Sequence, residues 1–257
     1  MFLLLLPSAA AAHDFWIEPS TFRPPAKTSV AVRLRVGEHY LGDPVPRKPA
    51  AQLIRFDAHA AGGTIQVTGA EGSEPAGSVA VPKGGLTLIS YESKPAYVEL
   101  NEDKLEQYYR EEGLEFVRDM RKRSPFAREP WRELFSRCAK SLLMTGSASA
   151  SGFDHRVGMR LELIPVKNPY ANRAGIKLPV RLLYLGKPLA GALVVGIPKS
   201  HPDRKVSARS DAAGRVTLKL DQGGEWLIKA VHIAPAPAGA RGQWESFWAS
   251  LTFDLRP

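Results

Sequence analysis

The sequence predicts a mainly β chain built as two β-sandwich domains, with a helical hairpin inserted at about 103–145. Three observations carry that expectation. Val30-Ala31-Val32-Arg33-Leu34-Arg35-Val36 alternates apolar and polar residues, the period of a half-buried strand. Short strand-like segments punctuated by Gly- and Pro-containing turns recur in both halves. Between Asp103 and Leu143 the apolar spacing changes to a helical period. At 257 residues, 44% hydrophobic and 24% charged, the chain has the material for one large domain or two small ones.

After Val30–Val36, the segment Gly37 to Asp43 reads as a loop. Strand candidates then follow at Gln52–Phe56, Thr64–Thr68, Leu86–Tyr91 and Ala96–Leu100. Asp103 with Glu106 three residues on forms a capping-box-like helix start. Leu105, Tyr108, Tyr109, Phe116, Val117 and Met120 continue at helical spacing, and Gly113 divides the segment. A second helix is expected from Pro130. Its stripe is Trp131, Leu134, Phe135, Cys138, Ala139, Leu142 and Leu143, with Arg132, Arg137 and Lys140 on a solvated face.

Val157–Ile164 alternates again, and Pro165–Gly175 reads as a connection. The expected division is therefore 1–12 leader, 13–170 N-terminal β domain with the helical insertion, and 171–257 C-terminal domain. In the latter, segments at Leu178–Leu185, Ala192–Ile197, Val206–Arg209, Val216–Leu220, Glu225–His232 and Phe247–Leu255 predict a transthyretin-like or immunoglobulin-like sandwich. Gly186-Lys187-Pro188 and Asp211-Ala212-Ala213-Gly214 supply turns between them.

The leader carries a chemical consequence. Phe2–Leu6 is apolar and Ala9–Ala12 resembles a signal-peptide cleavage region, so a cut after Ala12 makes His13 the first residue of a periplasmic protein. The leader is shorter than the usual 15–30 residues and lacks a basic start, as a start codon called too far downstream would produce. An N-terminal histidine offers an amine and an imidazole nitrogen, a chelate suited to copper or nickel. No apolar run approaches the roughly 20 residues of a membrane-spanning helix.

The net charge of +9 comes from dispersed basic residues, so no nucleic-acid partner is expected. Cys138 is the only cysteine and cannot form an internal disulfide; a buried small hydrophobe is its expected role. Phosphate loops, zinc-protease signatures and serine-hydrolase elbows are missing, and no enzymatic activity is expected. Among the six histidines, His59 and His201 sit in polar loops. His39 closes the loop after the alternating strand, where a rigid scaffold presents ligands. His155 starts a strand beside Asp154. His232 ends the apolar strand face of Trp226, Ile228 and Ala230.

His13-Asp14-Phe15-Trp16-Ile17-Glu18-Pro19 resembles the opening signature of the bacterial family called domain of unknown function 4198. The likeness continues through Val36-Gly37-Glu38-His39, Tyr109-Arg110-Glu111-Glu112-Gly113-Leu114, Arg137–Leu142, Asn168-Pro169-Tyr170, Gly186–Ala192, Ala230-Val231-His232 and Trp244–Phe253. The resemblance implies a periplasmic component of cobalt or nickel uptake, partnered by an energy-coupling-factor-type transporter in the inner membrane. Carried onto this sequence, it points to His13 and His232 as ligands of a divalent nickel, cobalt or copper ion. His39 is the third ligand, with His155 in reserve. The alternative expectation is an extracytoplasmic binding or adhesion module for a sugar or peptide, with Trp16, Trp244 and Trp248 as an aromatic platform.

Overall fold

A computed structural model describes residues 13–147 and 151–257; the leader Met1–Ala12 and its cleavage lie outside the described residues. The chain is mainly β, as the sequence predicts, with two α-helices among the described residues. Strands β1 (Asp14–Pro19), β2 (Ser29–Glu38), β3 (Leu41–Val45) and β6 (Gly77–Ala80) form one four-stranded antiparallel sheet. Strands β10 (Leu161–Pro165), β11 (Ile176–Tyr184), β12 (Lys187–Pro188) and β15 (Arg215–Leu220) form a second.

Between them lies a nine-stranded sheet in the order β14 (Val206–Arg209), β13 (Leu193–Pro198), β16 (Gly224–Pro235), β17 (Trp244–Leu255), β9 (Trp131–Thr145), β7 (Gly85–Ser93), β4 (Leu53–Ala60) and β5 (Gly63–Gln66). Strand β8 (Ala96–Leu100) continues the line of β7 along β9. Strands from both sides of residue 170 thus share one sheet, joined by the parallel pairing of β9 with β17.

Alternation sorts the large sheet's side chains onto two faces. Leu88, Cys138, Leu142, Ala249 and Leu251 pack against Leu161, Leu178 and Leu218 of the second small sheet. On the other face Ile89, Tyr91, Ala139 and Leu143 pack against Phe15, Ile17, Val30 and Val32 of the first. Helices α1 (Glu102–Glu111) and α2 (Glu115–Arg123) cover the rest of that face, over Trp131, Val231, Trp244 and Trp248.

The first helical segment is present, divided as expected at Gly113 (φ +66°) into α1 and α2. Asn101 caps α1, its side chain accepting from the Lys104 amide at 3.1 Å. The second helix, however, is α2, and the segment expected to be a helix from Trp131 to Leu143 is strand β9. A central strand buried on both faces has apolar residues without strict alternation, so its chance spacing matched a helix. Of the charges assigned to a solvated face, Arg137 and Lys140 are buried, and only Arg132 is half-exposed, paired with Glu129 at 2.7 Å. Lys140 Nζ donates to Glu162 Oε1 at 2.8 Å and to the Leu163 carbonyl at 3.2 Å. Trp131 Nε1 and the Ser246 hydroxyl donate to Glu133.

The expected loop Gly37–Asp43 is instead the tight hairpin joining β2 to β3, with Glu38 opposite Leu41. Its two turn residues, His39 and Tyr40, have φ +54° and +61°, the mirror-image turn that fits the strand twist. Gly42 is required there, because a Cβ would stand 2.7 Å from the Trp16 ring.

Replacing Lys140 by Met strands Glu162 in the interior without its cation. The expected loss is about 3–5 kcal/mol of unfolding free energy, measured by urea titration; a loss below 1 kcal/mol would refute that role for the pair.

Candidate ligand-binding cleft

Strand β1 is buried on both sides and alternates between two cores. Phe15 and Ile17 enter the first sandwich, while Trp16 packs with Tyr40, Val195, Ile197 and Leu227 over β13 and β16. The aromatic signature at the start of the described chain is therefore packing. Two cavities open beside the start of this strand.

The larger is a cleft of about 580 Å³ at the open end of the first sandwich. It forms where the sheet is interrupted. Glu92 pairs with Cys138 and Ala96 with Phe135, so Ser93, Lys94 and Pro95 stand opposite only Ser136 and Arg137. Pro95 has no N–H to give, and the Arg137 amide donates to the Ser93 hydroxyl at 3.0 Å instead of to a ladder carbonyl. The step exposes the rings of Phe15, Tyr91 and Phe135 to one cavity, with Lys48 and Lys94 among its other lining residues. Phe15 and Tyr91 have ring centroids 4.9 Å apart.

Arg137 forms part of the wall. Its guanidinium lies over Phe15, Phe135 and Trp248 at 5.8, 5.1 and 5.0 Å, and donates to the His13 carbonyl. Burial pulls its pKa down to about 10, against the opposing pull of Asp14.

The second cavity, of about 70 Å³, lies on the other side of β1 and is lined by Asp14, Glu38, His39, Glu111, Glu112 and Lys229, among others. Lys229 Nζ donates to Asp14 Oδ1 at 2.6 Å and Glu112 Oε1 at 2.7 Å. One ammonium serves two carboxylates. Burial raises the Glu112 carboxyl to about 7, more than Lys229 draws it down, with Asp14 adding to the rise. Lys229 was the legible signal for this cluster, a lone cation inside the apolar run Trp226–His232.

Residues 10–234 match the protein family described as Domain of unknown function (DUF4198). The chain belongs to that family. No curated protein matches it. Among solved structures, the D0-D1 domain of intimin is similar at 11% identity, covering 93% of this chain and 97% of that one with a TM-score of 0.23. A tetra-tandem repeat in the extending region of a large adhesion protein is similar at 14% identity and TM-score 0.20, covering 94% of this chain and 49% of that one. Neither likeness bears on what this chain binds.

The histidines that the family resemblance singled out are not brought together as a set. His13 lies beside Glu38, Nε2 to Oε1 at 3.5 Å, and exposed His39 lines the Asp14 cavity. His232 belongs to the opposite face of the large sheet. Its ring meets Tyr184 at 4.5 Å, and Tyr184 in turn meets Phe247. A sheet separates it from His13, so the expected His13–His232 chelate is not formed. The reserve, His155, meets His59 in a tilted ring contact at 5.0 Å, and His59 Nε2 reaches Asp57 at 3.0 Å. Among the described residues no three His, Cys, Asp or Glu side chains are grouped to hold a metal. Trp16, Trp244 and Trp248 are buried in cores and form no platform. Cys138 is buried as expected, and burial pushes its thiol up to about 12.

Burial lowers His232 from 6.5 to about 4. The unfolded ring takes a proton near 6.5 and the folded ring refuses it until about 4, so its contribution to stability drains as pH falls across that window. The expected cost is up to about 3 kcal/mol. In urea titrations at pH 7 and pH 4.5, His232→Phe should lose less stability than the wild type; equal losses would show that the imidazole is not the sensor.

Proposed function

We propose that this protein is a small-molecule binding module whose ligand enters the Phe15–Arg137 cleft, consistent with an exported protein that captures rather than transforms its ligand. The observation that carries the reading is the cleft itself. It has the volume and the mainly apolar, aromatic lining of a small-ligand site, and its walls are strands held from behind by two cores. The sugar or peptide platform expected of Trp16, Trp244 and Trp248, which are buried, gives way to the three rings that do line a cavity.

The test uses N-phenyl-1-naphthylamine, an uncharged dye whose emission rises in apolar surroundings. Saturable enhancement is expected with the full chain. It should be lost in Ala51→Trp and Ala96→Trp, each of which places an indole in the cleft from an exposed lining position. Undiminished binding in both variants, or no binding by the wild type, would overturn the reading.

A second reading keeps the nickel, cobalt or copper expectation at His13, beside Glu38 at the edge of the Asp14 cavity and without His232. It is favoured by His13 Nδ1, which is buried and has no hydrogen-bond partner; a histidine that starts a chain uses that nitrogen with its amine. The residues that would hold the ion are His13 and His39, and delivery to a membrane transporter would follow from the family resemblance. Titration of protein beginning at His13 with each metal should show binding that His13→Ala abolishes, His39→Ala weakens and His232→Ala leaves unchanged. Dependence on His232 would return the ligand set to the one expected from sequence.

A further inference from the structure

We infer that the cleft selects organic anions, specifically a carboxylate carried on an aromatic or aliphatic body; this rests on the cleft being the binding site. The charge of its lining supports the choice. Lys48, Lys94 and Arg137 line it, and no Asp or Glu does. The cavity beside Asn101 includes Glu99, Glu102 and Glu129, the one beside Lys229 includes four carboxylates, and the one beside His232 includes Glu115. The cleft therefore has a uniformly positive lining where the other cavities are mixed or acidic.

The three cations divide the work by position. Arg137 is fixed in the wall, its guanidinium committed to the His13 carbonyl and the surrounding rings, and contributes a standing charge. Lys48 and Lys94 are exposed and form no ion pair with the described residues. Lys94 stands on the three-residue step between β7 and β8, next to Pro95, and Lys48 precedes the short turn Ala50–Gln52. An apolar body against Phe15, Tyr91 and Phe135 leaves its charged end to the ammonium groups, where it stays partly hydrated and avoids the cost of burying a carboxylate. An ammonium-bearing ligand of the same shape meets three like charges and is rejected.

Three ligands of one shape test this in the full chain: 2-naphthoate, 2-naphthamide and 2-naphthylmethylammonium, each titrated calorimetrically and as a competitor of the uncharged dye. The naphthoate is expected to bind about tenfold more tightly than the amide, the size of two partly exposed charge contacts. The ammonium should bind least. Raising salt from low to high concentration should erase the naphthoate's advantage but leave the amide unchanged. Lys48→Ala/Lys94→Ala, at exposed positions, should keep dye binding and remove most of the naphthoate's advantage over the amide, leaving only the share that the standing charge of Arg137 supplies. Equal affinity of the acid and the amide in the wild type, or an advantage that survives the double substitution undiminished, would overturn the anion selectivity and leave the cleft intact. Loss of dye binding along with all three ligands would instead remove the cleft.

Discussion

The pairing of β9 with β17 is the constraint from which the rest of the structure follows. These two strands run parallel, Trp244 opposite Glu133 through Thr252 opposite Ser141, and they join strands from the two halves of the chain into one sheet. A sheet built that way is covered on both faces, by a small sheet on one side and by a small sheet and two helices on the other. The buried charges on its central strand have no route to water. Each must find an internal partner or cost several kcal/mol. Lys140 finds Glu162 and backbone carbonyls, Glu133 finds Trp131 and Ser246, and Arg137 finds the His13 carbonyl and three aromatic faces.

Those partnerships bind distant parts of the sequence to β9. Through Arg137 the beginning of the described chain is tied to the central strand, 124 residues away. Through Lys229 the same segment is tied to β16 and to the end of α1. Strand β1 thus acts as a strap laid across the large sheet, with one aromatic side chain in each of two cores. Its start separates the two cavities. One is small, acidic and built around a shared ammonium; the other is wide, apolar and ringed by cations. The interruption after β7 makes the second possible, since a regular ladder through Lys94 and Pro95 would close the gap.

Much of the architecture was legible because most strands obey local rules. The alternation of Val30–Val36, the exposed-buried rhythm of Arg215–Leu220 and the glycine turns between strands repeat at short range what the fold needs. The first helix was legible, although the sequence places its start two residues late, at Asp103 instead of the Asn101 cap, and the break at Gly113 was legible through the residue's freedom at positive φ. Strand β9 was not legible in this way. Its burial on both faces removes the period of two, and Lys140 and Arg137 looked like solvent markers only because their partners lie 22 and 124 residues away.

The sequence by itself determined the β character, the helical insertion, the buried cysteine and the aromatic density at His13–Pro19, since composition and short-range spacing encode each of these. Which histidines meet was decided by the tertiary structure alone. The strand order sets His232 behind the large sheet and His13 and His39 in front of it, and no spacing along the chain reports on which side of a sheet a residue faces relative to another strand. The cleft belongs to the same category. Its rings come from β1, β7 and β9, and its cations from a turn, a bulge and a core strand, so it exists only once three layers have been stacked.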